Sequence, residues 1–345
     1  MFEELKTNRP GRPTDRINLA QVAEAAGVSK MTASRVLRNG TGFSNATRDR
    51  VLQEVARLGY VQNRLAAAFS SDIASTFVGV SIPDLGNEVF AQVLEGIERR
   101  LGMFGHQTVL GVSLHDAKTM EGWTETMLSW RPAGLIVTGR HHSPKITAML
   151  KSSGVPIVEI WDLNTSPLDM CVGLSHYDSG YDMGRHFIQR GRRNIGYVGT
   201  TTDTANAAGS RLNGFRQALT DGGGADIQTN VLPDQPGFYP GFYGTEQLLA
   251  RFPKMDAIYY QNDNMAAGGM MYCLSKGLRI PQDLGIAGWG DLPIASILPG
   301  RLTTSHVAPL QIGQIAADKL LATLSGRAVD PVTDTGFRLV PGNTL

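Results

Sequence analysis

From Thr76 onward the sequence alternates short apolar segments with amphipathic ones, and this alternation limits the possible folds more than any other feature. The apolar segments are four to six residues long and rich in Val, Ile, Leu and Gly, which is typical of strands buried on both faces. Strands are expected at 77–82, 107–112, 134–138, 156–160, 170–174, 195–199, 257–260 and 284–288. Because they come in two successive series separated by helices, the sequence predicts two α/β lobes, each with a doubly wound parallel sheet.

Residues 19–38 follow a different pattern, that of two short helices joined by a tight turn. Leu19 and Val22 give the first helix an apolar face, Gly27 allows a sharp turn, and Ser29 is a suitable N-cap for the second helix. Five side chains are expected to project from that helix: Lys30, Met31, Thr32, Ser34 and Arg35. Small polar groups with arginine behind them suit the DNA major groove, where the former meet base edges and the latter meets phosphates. An ordinary surface hairpin is the alternative interpretation.

The distribution of charge favours DNA binding. Residues 1–70 carry 11 basic and 6 acidic side chains, a net charge of +5, whereas the whole chain of 345 residues has a net charge of +1. The remainder is therefore acidic, at −4. A basic end on an acidic body is expected for a chain that contacts phosphates with one end only. A solvated charged surface would not explain why the basic segment coincides with the helical pair.

A third helix is expected from about residue 45 to residue 58, capped by Ser44 and ended by Gly59. Four apolar residues recur on one face of it: Val51, Leu52, Val55 and Leu58. This face is predicted to close a small three-helix core.

Several classes of protein are disfavoured. No apolar run is long enough to span a bilayer and the N-terminal segment is too polar for a signal peptide, so a cytoplasmic protein that does not enter a membrane is expected. Cys171 and Cys273 are far apart and indicate neither a disulfide framework nor a zinc site. The glycine-rich dinucleotide and P-loop motifs and the serine-hydrolase motif are absent from the sequence, so no enzymatic activity, cofactor or metal is predicted. An α/β enzyme acting on a sugar and a periplasmic sugar-binding protein are the alternatives.

The chain resembles the lactose-repressor (LacI/GalR) family over essentially its whole length, and within that family it is most similar to gluconate-operon repressors. The family resemblance lies in Val22-Ala23, Ala26-Gly27-Val28-Ser29, Thr32, Ser34-Arg35-Val36-Leu37, Leu58-Gly59-Tyr60, Asn63-Arg64, Arg211-Leu212-Asn213-Gly214-Phe215 and Asn262-Asp263. The similarity to gluconate-operon repressors lies in residues 28–32, 89–98 and 127–130. The resemblance implies a homodimer that binds double-stranded operator DNA of two-fold symmetry and responds to a small metabolite held between two lobes.

The resemblance also implies a domain organisation. It comprises a flexible basic arm at 1–16, a helix-turn-helix domain at 17–61, a hinge helix at 62–72 and an effector-binding and dimerisation domain at 75–345. The N-lobe of that last domain would contain about 75–174 and 306–334, and the C-lobe about 175–305 and 335–345. The absence of a leucine-heptad tail favours a dimer over a larger oligomer.

Roles in DNA binding follow from the resemblance residue by residue. Lys30, Met31 and Ser34 occupy positions that read base edges, and Thr32, Arg35 and Asn39 occupy phosphate-binding positions. Contact of Arg35 with a base is the alternative for that residue. Asn63 and Arg64 begin the hinge helix, and Phe69 occupies the position of a minor-groove wedge. Gln62 stands where the family usually has proline, and phenylalanine is bulkier than the usual leucine. Packing of Phe69 against the body is therefore an alternative to the wedge.

The candidate effector-binding residues are Asn87, Phe90, Arg140, Glu159, Trp161, Arg211, Asn262 and Asp291. Arg211, expected just before a helix at 213–219, matches the family's ligand arginine, and its guanidinium is suited to a carboxylate. Glu159 lies in a buried strand and needs a partner or a place in the cleft. Asn262 suits a polyol, whereas Asp263 is either a ligand residue or a helix cap. His141 and His142 beside Arg140 are typical of a surface loop.

One departure from the family bears on the ligand. Gly290 stands where sugar-binding members commonly have aspartate, within Gly288-Trp289-Gly290-Asp291. Loss of an acid while Arg211 is kept favours an anionic ligand, and a sugar acid such as gluconate is the first hypothesis. A neutral sugar or another metabolite is the alternative.

Overall fold

The computed structural model describes residues 17–38, 40–62, 75–114, 116–163, 165–200, 206–223, 227–233 and 237–345. The chain divides into an N-terminal unit that ends at Ala74 and a second unit that starts at Ser75. We call the described residues of the first unit the head and those of the second unit the body. The expected basic arm lies outside the described residues, as does the expected hinge helix apart from residue 62.

The head contains three helices, α1 (Leu19–Ala25), α2 (Lys30–Leu37) and α3 (Asn45–Leu58). Ser29 and Ser44 cap α2 and α3 as predicted, and each hydroxyl accepts a hydrogen bond from a backbone amide of the first turn. Gly27 and Gly59 both have positive φ angles, of 63° and 65°, which glycine adopts without steric cost.

The core of the head is small. Its buried members are Val22, Ala23, Ala26, Ala33, Val36 and Val51. The prediction for Leu52 was wrong, because its side chain is exposed: it follows Val51 by one residue and so lies about 100° around the helix from it. Val55 and Leu58 pack against the edge of the core as expected.

The body has two lobes, each built on a parallel sheet. The N-lobe sheet has the strand order β11-β5-β4-β3-β1-β2 and the C-lobe sheet has the order β7-β6-β8-β9. The N-lobe strands are β1 (Phe77–Ile82), β2 (Gln107–Val112), β3 (Gly134–Thr138), β4 (Ile157–Asp162), β5 (Met170–Leu174) and β11 (Val332–Asp334). The C-lobe strands are β6 (Ile195–Thr200), β7 (Gln228–Leu232), β8 (Ala257–Tyr260) and β9 (Gly285–Ala287). The predicted fold class is confirmed.

Helices cover the sheets of both lobes. Those of the N-lobe are α4 (Glu88–Gly102), α5 (Ala117–Ser129), α6 (Pro144–Ser152) and α12 (Pro309–Leu324). Those of the C-lobe are α7 (His176–Gln189), α8 (Ala207–Asp221), α9 (Tyr239–Arg251), α10 (Asp263–Ser275) and the short α11 (Ile294–Ile297). In the part of the chain that the structure describes, no helix is both long and apolar enough to cross a membrane.

Three segments connect the lobes. The first joins β5 to α7, the second follows β10 (Thr304–His306), and the third joins β11 to β12 (Arg338–Val340). β10 and β12 pair with each other in an antiparallel two-stranded sheet. These connections bring the carboxyl ends of the two parallel sheets toward one cleft within the body.

The helices α7 and α8 meet backbone to backbone. A Cβ atom on Gly180 of α7 would overlap the carbonyl oxygen of Arg211, and one on Gly214 of α8 would overlap that of Tyr177. Glycine is thus required on both sides of the contact. It sets the position of Arg211, which lies inside α8.

Candidate functional site

The body contains a cleft of about 610 Å³ lined by both lobes. Strand ends of the N-lobe contribute Ser81, Thr138, Trp161 and Asp162, and those of the C-lobe contribute Thr200 and Gln261. A volume in this range fits a small metabolite.

Five helices point their N-termini at the cleft. Their N-cap residues all line it: Asn87 for α4, Asp116 for α5, Ser143 for α6, Asn206 for α8 and Asn262 for α10. The N-terminal end of a helix carries a partial positive charge, so such an arrangement favours an anion.

Arg211 lies inside α8 rather than before it as expected, because α8 already begins at Ala207. Its guanidinium is buried and held from three sides. Nη1 donates to Nδ1 of His176 at 3.1 Å, and Nη2 donates to the carbonyl oxygen of Gln261 at 3.1 Å. The guanidinium carbon lies 3.9 Å from the centre of the Trp289 ring. Among the described residues, no carboxylate lies within 4.0 Å of this cation.

His176, the first residue of α7, is buried beside Arg211. Its Nε2 atom lies 3.2 Å from the carbonyl oxygen of Trp161 and 3.5 Å from Oδ1 of Asp162. Burial, followed by the nearby Arg211 charge, holds the pKa of His176 well below its usual value. The imidazole is therefore neutral at pH 7.

Asp162 is a carboxylate at the end of β4 that faces the cleft. Burial raises its pKa, and the charges of Arg140, Arg211 and His141 oppose that rise. Its position makes it an acceptor for hydroxyl groups of a ligand in the cleft.

An aromatic wall lies next to these polar groups. The ring of Trp161 is 5.2 Å from that of Phe90 and 5.7 Å from that of Trp289. Trp289 donates from Nε1 to Oγ of Ser179 at 2.9 Å, which fixes its orientation. Trp161 has a φ angle of 86°, a left-handed conformation that is strained for a bulky residue and that clusters at functional sites in proteins.

The structure brings six of the eight candidate effector residues together. Asn87, Phe90, Arg140, Trp161, Arg211 and Asn262 line the cleft. Arg140 donates to Nε2 of the neighbouring His141 at 3.2 Å. His141 and His142 also line the cleft, so their loop belongs to this site.

Two candidates do not line the cleft. Glu159 is buried in β4, where Oε1 lies 3.1 Å from Nε2 of His142 and Oε2 accepts the backbone N–H of Leu168. It thus has the partners that its burial requires. Asp291 turns away with a φ angle of 53° and contacts Nδ1 of His306 at 2.8 Å, at the second connection between the lobes.

Asn262 takes both expected roles, and the expectation that Asp263 is a ligand residue or the cap of α10 was wrong. Oδ1 of Asn262 caps α10 by accepting the N–H of Met265, and the residue also lines the cleft. Asp263 is fully buried behind the cleft, where it accepts hydrogen bonds from the Thr304 hydroxyl and the Leu292 N–H. Burial raises the pKa of Asp263 to about 7.

Sequence reasoning missed Asp162 and Trp289, which line the cleft, and His176, which bonds to the cleft residue Arg211. Asp162 and Trp289 each follow an apolar segment, and the carboxyl end of a parallel strand is where ligands bind, so this signal was present for both. His176 carried no such signal, because only the fold brings α7 against Arg211.

In the head, the side chains of Lys30, Met31 and Arg35 are exposed on α2, and those of Thr32 and Ser34 are half-buried. The exposed fraction of Met31 is 68%, which is high for an apolar residue. Asn39, Asn63, Arg64 and Phe69 lie outside the described residues. The helix α2 thus presents two cations and one apolar group to solvent, which is compatible with the predicted contacts in the DNA major groove.

Residues 18–63 match the family model of bacterial regulatory proteins of the lacI family. Residues 75–335 match the model of periplasmic binding proteins and the sugar binding domain of the LacI family. The chain belongs to the LacI family. This LacI-family chain is 35% identical over 329 residues to the HTH-type transcriptional regulator GntR of Escherichia coli K12, an alignment that covers 95% of the chain and 98% of that relative.

Two solved structures extend the similarity. A LacI-family transcriptional regulator from Silicibacter pomeroyi matches with a TM-score of 0.89 and 37% identity over 95% of this chain and 99% of the other. The lac repressor dimer bound to operator and the anti-inducer ONPF matches with a TM-score of 0.79 and 25% identity over 96% of this chain and 99% of the other. The chain is therefore a LacI-type DNA-binding transcriptional regulator, and its relatives are regulators rather than enzymes.

Proposed function

We propose that this regulator is a dimeric repressor whose affinity for operator DNA is controlled by a sugar acid, such as gluconate, bound in the cleft of the body. The observation that carries the proposal is the buried Arg211 guanidinium, which has no carboxylate partner among the described residues. A buried cation that makes no direct ion pair is costly, and a ligand carboxylate in contact with Arg211 would relieve that cost.

The surroundings of Arg211 support an anion over a neutral sugar. Four helix N-termini with uncharged caps add partial positive charge to the cleft, whereas that of α5 is capped by the Asp116 carboxylate. Gly290 provides no acid at the position where sugar-binding relatives commonly have one. Planar guanidinium groups bind carboxylates through two parallel hydrogen bonds. A carboxylate therefore fits this end of the cleft better than a pair of hydroxyls.

The remaining surfaces suit a polyol chain. Asp162 offers an acceptor for hydroxyl groups, and Trp161 offers an apolar ring for the carbon skeleton. A linear sugar acid has a group for each of Arg211, Asp162 and Trp161: a carboxylate at one end, hydroxyls along one side and C–H groups along the other.

Operator binding would come from the head in a symmetric pair. A two-fold dimer places two copies of α2 against two half-sites of a palindrome, which multiplies the affinity of one head. The resemblance to gluconate-operon repressors and the 35% identity to GntR support a sugar acid as the signal.

The test is isothermal titration of the full-length protein with gluconate, galactonate and glucuronate, with sorbitol as a matched polyol that lacks the carboxylate. The expected result is binding of at least one sugar acid and no heat with sorbitol. Binding of sorbitol with no binding of any of the three acids would refute the sugar-acid assignment. Gel-shift assays on the DNA upstream of its own coding sequence, with and without gluconate, test the regulatory half of the proposal.

A further inference from the structure

We propose that His176 is a positioning residue for Arg211, the cation that binds the effector. By bonding Arg211 on one side and the Trp161 backbone on the other, His176 couples occupancy of the cleft to the N-lobe. The proposal rests on the function proposed above, because it takes Arg211 as the group that binds the effector. It adds a route by which the bound effector changes the relation of the lobes.

The geometry is an unbroken chain of three hydrogen bonds. The Gln261 carbonyl accepts from Nη2 of Arg211 at 3.1 Å, Nη1 of Arg211 donates to Nδ1 of His176 at 3.1 Å, and Nε2 of His176 reaches the Trp161 carbonyl at 3.2 Å. Trp161 belongs to the N-lobe strand β4, whereas the other three residues belong to the C-lobe. This series of hydrogen bonds therefore crosses from one lobe to the other through the imidazole ring of His176.

The partners fix one tautomer of His176. A guanidinium only donates hydrogen bonds, so Nδ1 must be the acceptor. A carbonyl oxygen only accepts, so Nε2 must carry the hydrogen. Protonation of Nδ1 would set one N–H against another, and the ring is only 3% exposed to water. The groups that face the ring are Arg211, Asp162 and, more distantly, Arg140.

The position of His176 in the chain suits a coupling role. It is the first residue of α7, directly after the segment by which the chain leaves the N-lobe strand β5. Its partner Trp161 is held at a φ angle of 86°, a conformation that persists only where neighbouring groups enforce it. The hydrogen bond from His176 is one such constraint, and the ring of Trp161 faces the cleft beside Phe90.

Binding of a carboxylate redistributes the hydrogen bonds of Arg211, and His176 is the shared partner through which that change reaches Trp161. An effector shifts the arrangement of the lobes only if it binds one arrangement better than the other. The three hydrogen bonds from Gln261 through Arg211 and His176 to Trp161, which we call the relay, supply such a difference. The relay is complete only when Trp161 and His176 are within hydrogen-bond distance.

Two substitutions separate the two bonds. His176→Asn keeps an acceptor near the position of Nδ1 and removes the contact with Trp161. His176→Gln keeps a donor near the position of Nε2 and removes the acceptor for Arg211. His186→Asn is the matched control, because His186 is a buried histidine on the same helix that makes no contact with Arg211.

With gluconate as the probe, we expect His176→Asn to bind within about threefold of the wild-type Kd but to lose most of the gluconate effect on operator affinity. His176→Gln is expected to lose about 10- to 100-fold in gluconate affinity, the typical effect of one hydrogen bond to a charged group. The control variant should match the wild type in both measurements. All variants should bind operator normally without gluconate, which shows that they are folded.

Equal losses of affinity and of coupling in both variants, in protein that still binds operator, would indicate a merely structural histidine and overturn the proposal. Wild-type behaviour of both variants would overturn it as well. Nitrogen-15 NMR of the ligand-free wild type gives a readout that does not depend on gluconate. The expected spectrum has Nε2 protonated and Nδ1 unprotonated from pH 8 to pH 5.5. The opposite tautomer, or protonation of Nδ1 in that pH range, would refute the relay whichever effector binds. A wild-type protein that does not bind gluconate but shows the expected tautomer would refute only the sugar-acid assignment.

Discussion

The head and the body present their functional residues in opposite ways. In the head, Lys30, Met31 and Arg35 project from α2 into solvent, and the helix is shaped by caps and a small core that these side chains do not join. In the body, Arg211 and His176 are buried and bonded to each other. A surface that docks on DNA works through independent contacts, whereas a cleft that replaces water must satisfy its polar groups internally. Substitutions should accordingly be nearly additive in the head and strongly coupled in the body.

The largest expected effect concerns stability beneath the cleft. Phe215 lies one turn after Arg211 in α8, fully buried, with its ring 4.6 Å from that of Tyr259 and 5.0 Å from that of Phe187. Phe215→Ala should lower the free energy of unfolding of the body by about 3–5 kcal/mol, because it leaves a cavity. Urea titration measures the loss. Phe104→Ala, at a phenylalanine of the body that is 58% exposed, is the control and should cost much less.

The next effect depends on pH and is confined to the body. Asp263 has a pKa of about 7 in the folded chain, above the ordinary carboxyl value of 3.8, so the folded state binds its proton more tightly than the unfolded state does. Its contribution to stability is therefore present below about pH 4 and is lost as the pH rises through 7.

Asp263→Asn retains partners for Thr304 and Leu292 but cannot titrate. It should abolish the decrease in the free energy of unfolding that Asp263 causes between pH 5 and pH 7, which is on the order of 2 kcal/mol. The measurement is the urea midpoint of wild type and variant at both pH values. The lowered pKa of His176 acts in the opposite direction, since its contribution is present above about pH 6.5 and is lost as the pH falls. Parallel pH profiles for the two proteins would show that Asp263 does not titrate in this range.

Loss of a cation from the head should make DNA binding weaker and less dependent on salt concentration. Arg35→Ala should reduce operator affinity by about 1–3 kcal/mol and lower the slope of log K against log salt by about 1 if the side chain binds a phosphate. Fluorescence anisotropy at several salt concentrations gives both quantities. Arg57→Ala is the comparison, because Arg57 pairs with Glu54 on α3 and should leave the slope nearly unchanged.

The smallest effect is local to one helix. Ser29→Ala should destabilise the head by about 1 kcal/mol, because the Ser29 hydroxyl accepts the Thr32 N–H at the start of α2. Thermal unfolding followed by circular dichroism is the measurement. Ser34→Ala, inside the same helix, should change stability by less, and equal effects of the two would contradict the capping role.

Much of the fold was predictable because its signals are local. The limits of β1, β2, β3, β5 and β8 agree with the sequence pattern to the residue. β7 carries polar residues at Gln228, Thr229 and Asn230 and gives no apolar run, so the pattern does not predict it. Leu52 was predicted to be buried because it is apolar, but its angular position around α3 places it outside the core.

The cleft was less predictable because its geometry is set by tertiary packing. Arg211 and Trp161 were recognisable by their positions, but the neutral state of His176 follows only from the two partners that the fold gives it. Glu159 and Asp291 looked like ligand residues in sequence, yet each is turned toward a histidine elsewhere. Which way a polar side chain faces at a strand end depends on backbone twists, such as the left-handed φ of Asp291, that no local pattern specifies.

The glycine contact between α7 and α8 has a mechanical consequence. Gly180 and Gly214 bring the backbones of α7 and α8 into direct contact, which leaves no room for side chains between them at this point. We therefore expect a ligand that displaces α8 through Arg211 to displace α7 as well, so that the response would involve both helices rather than one side chain.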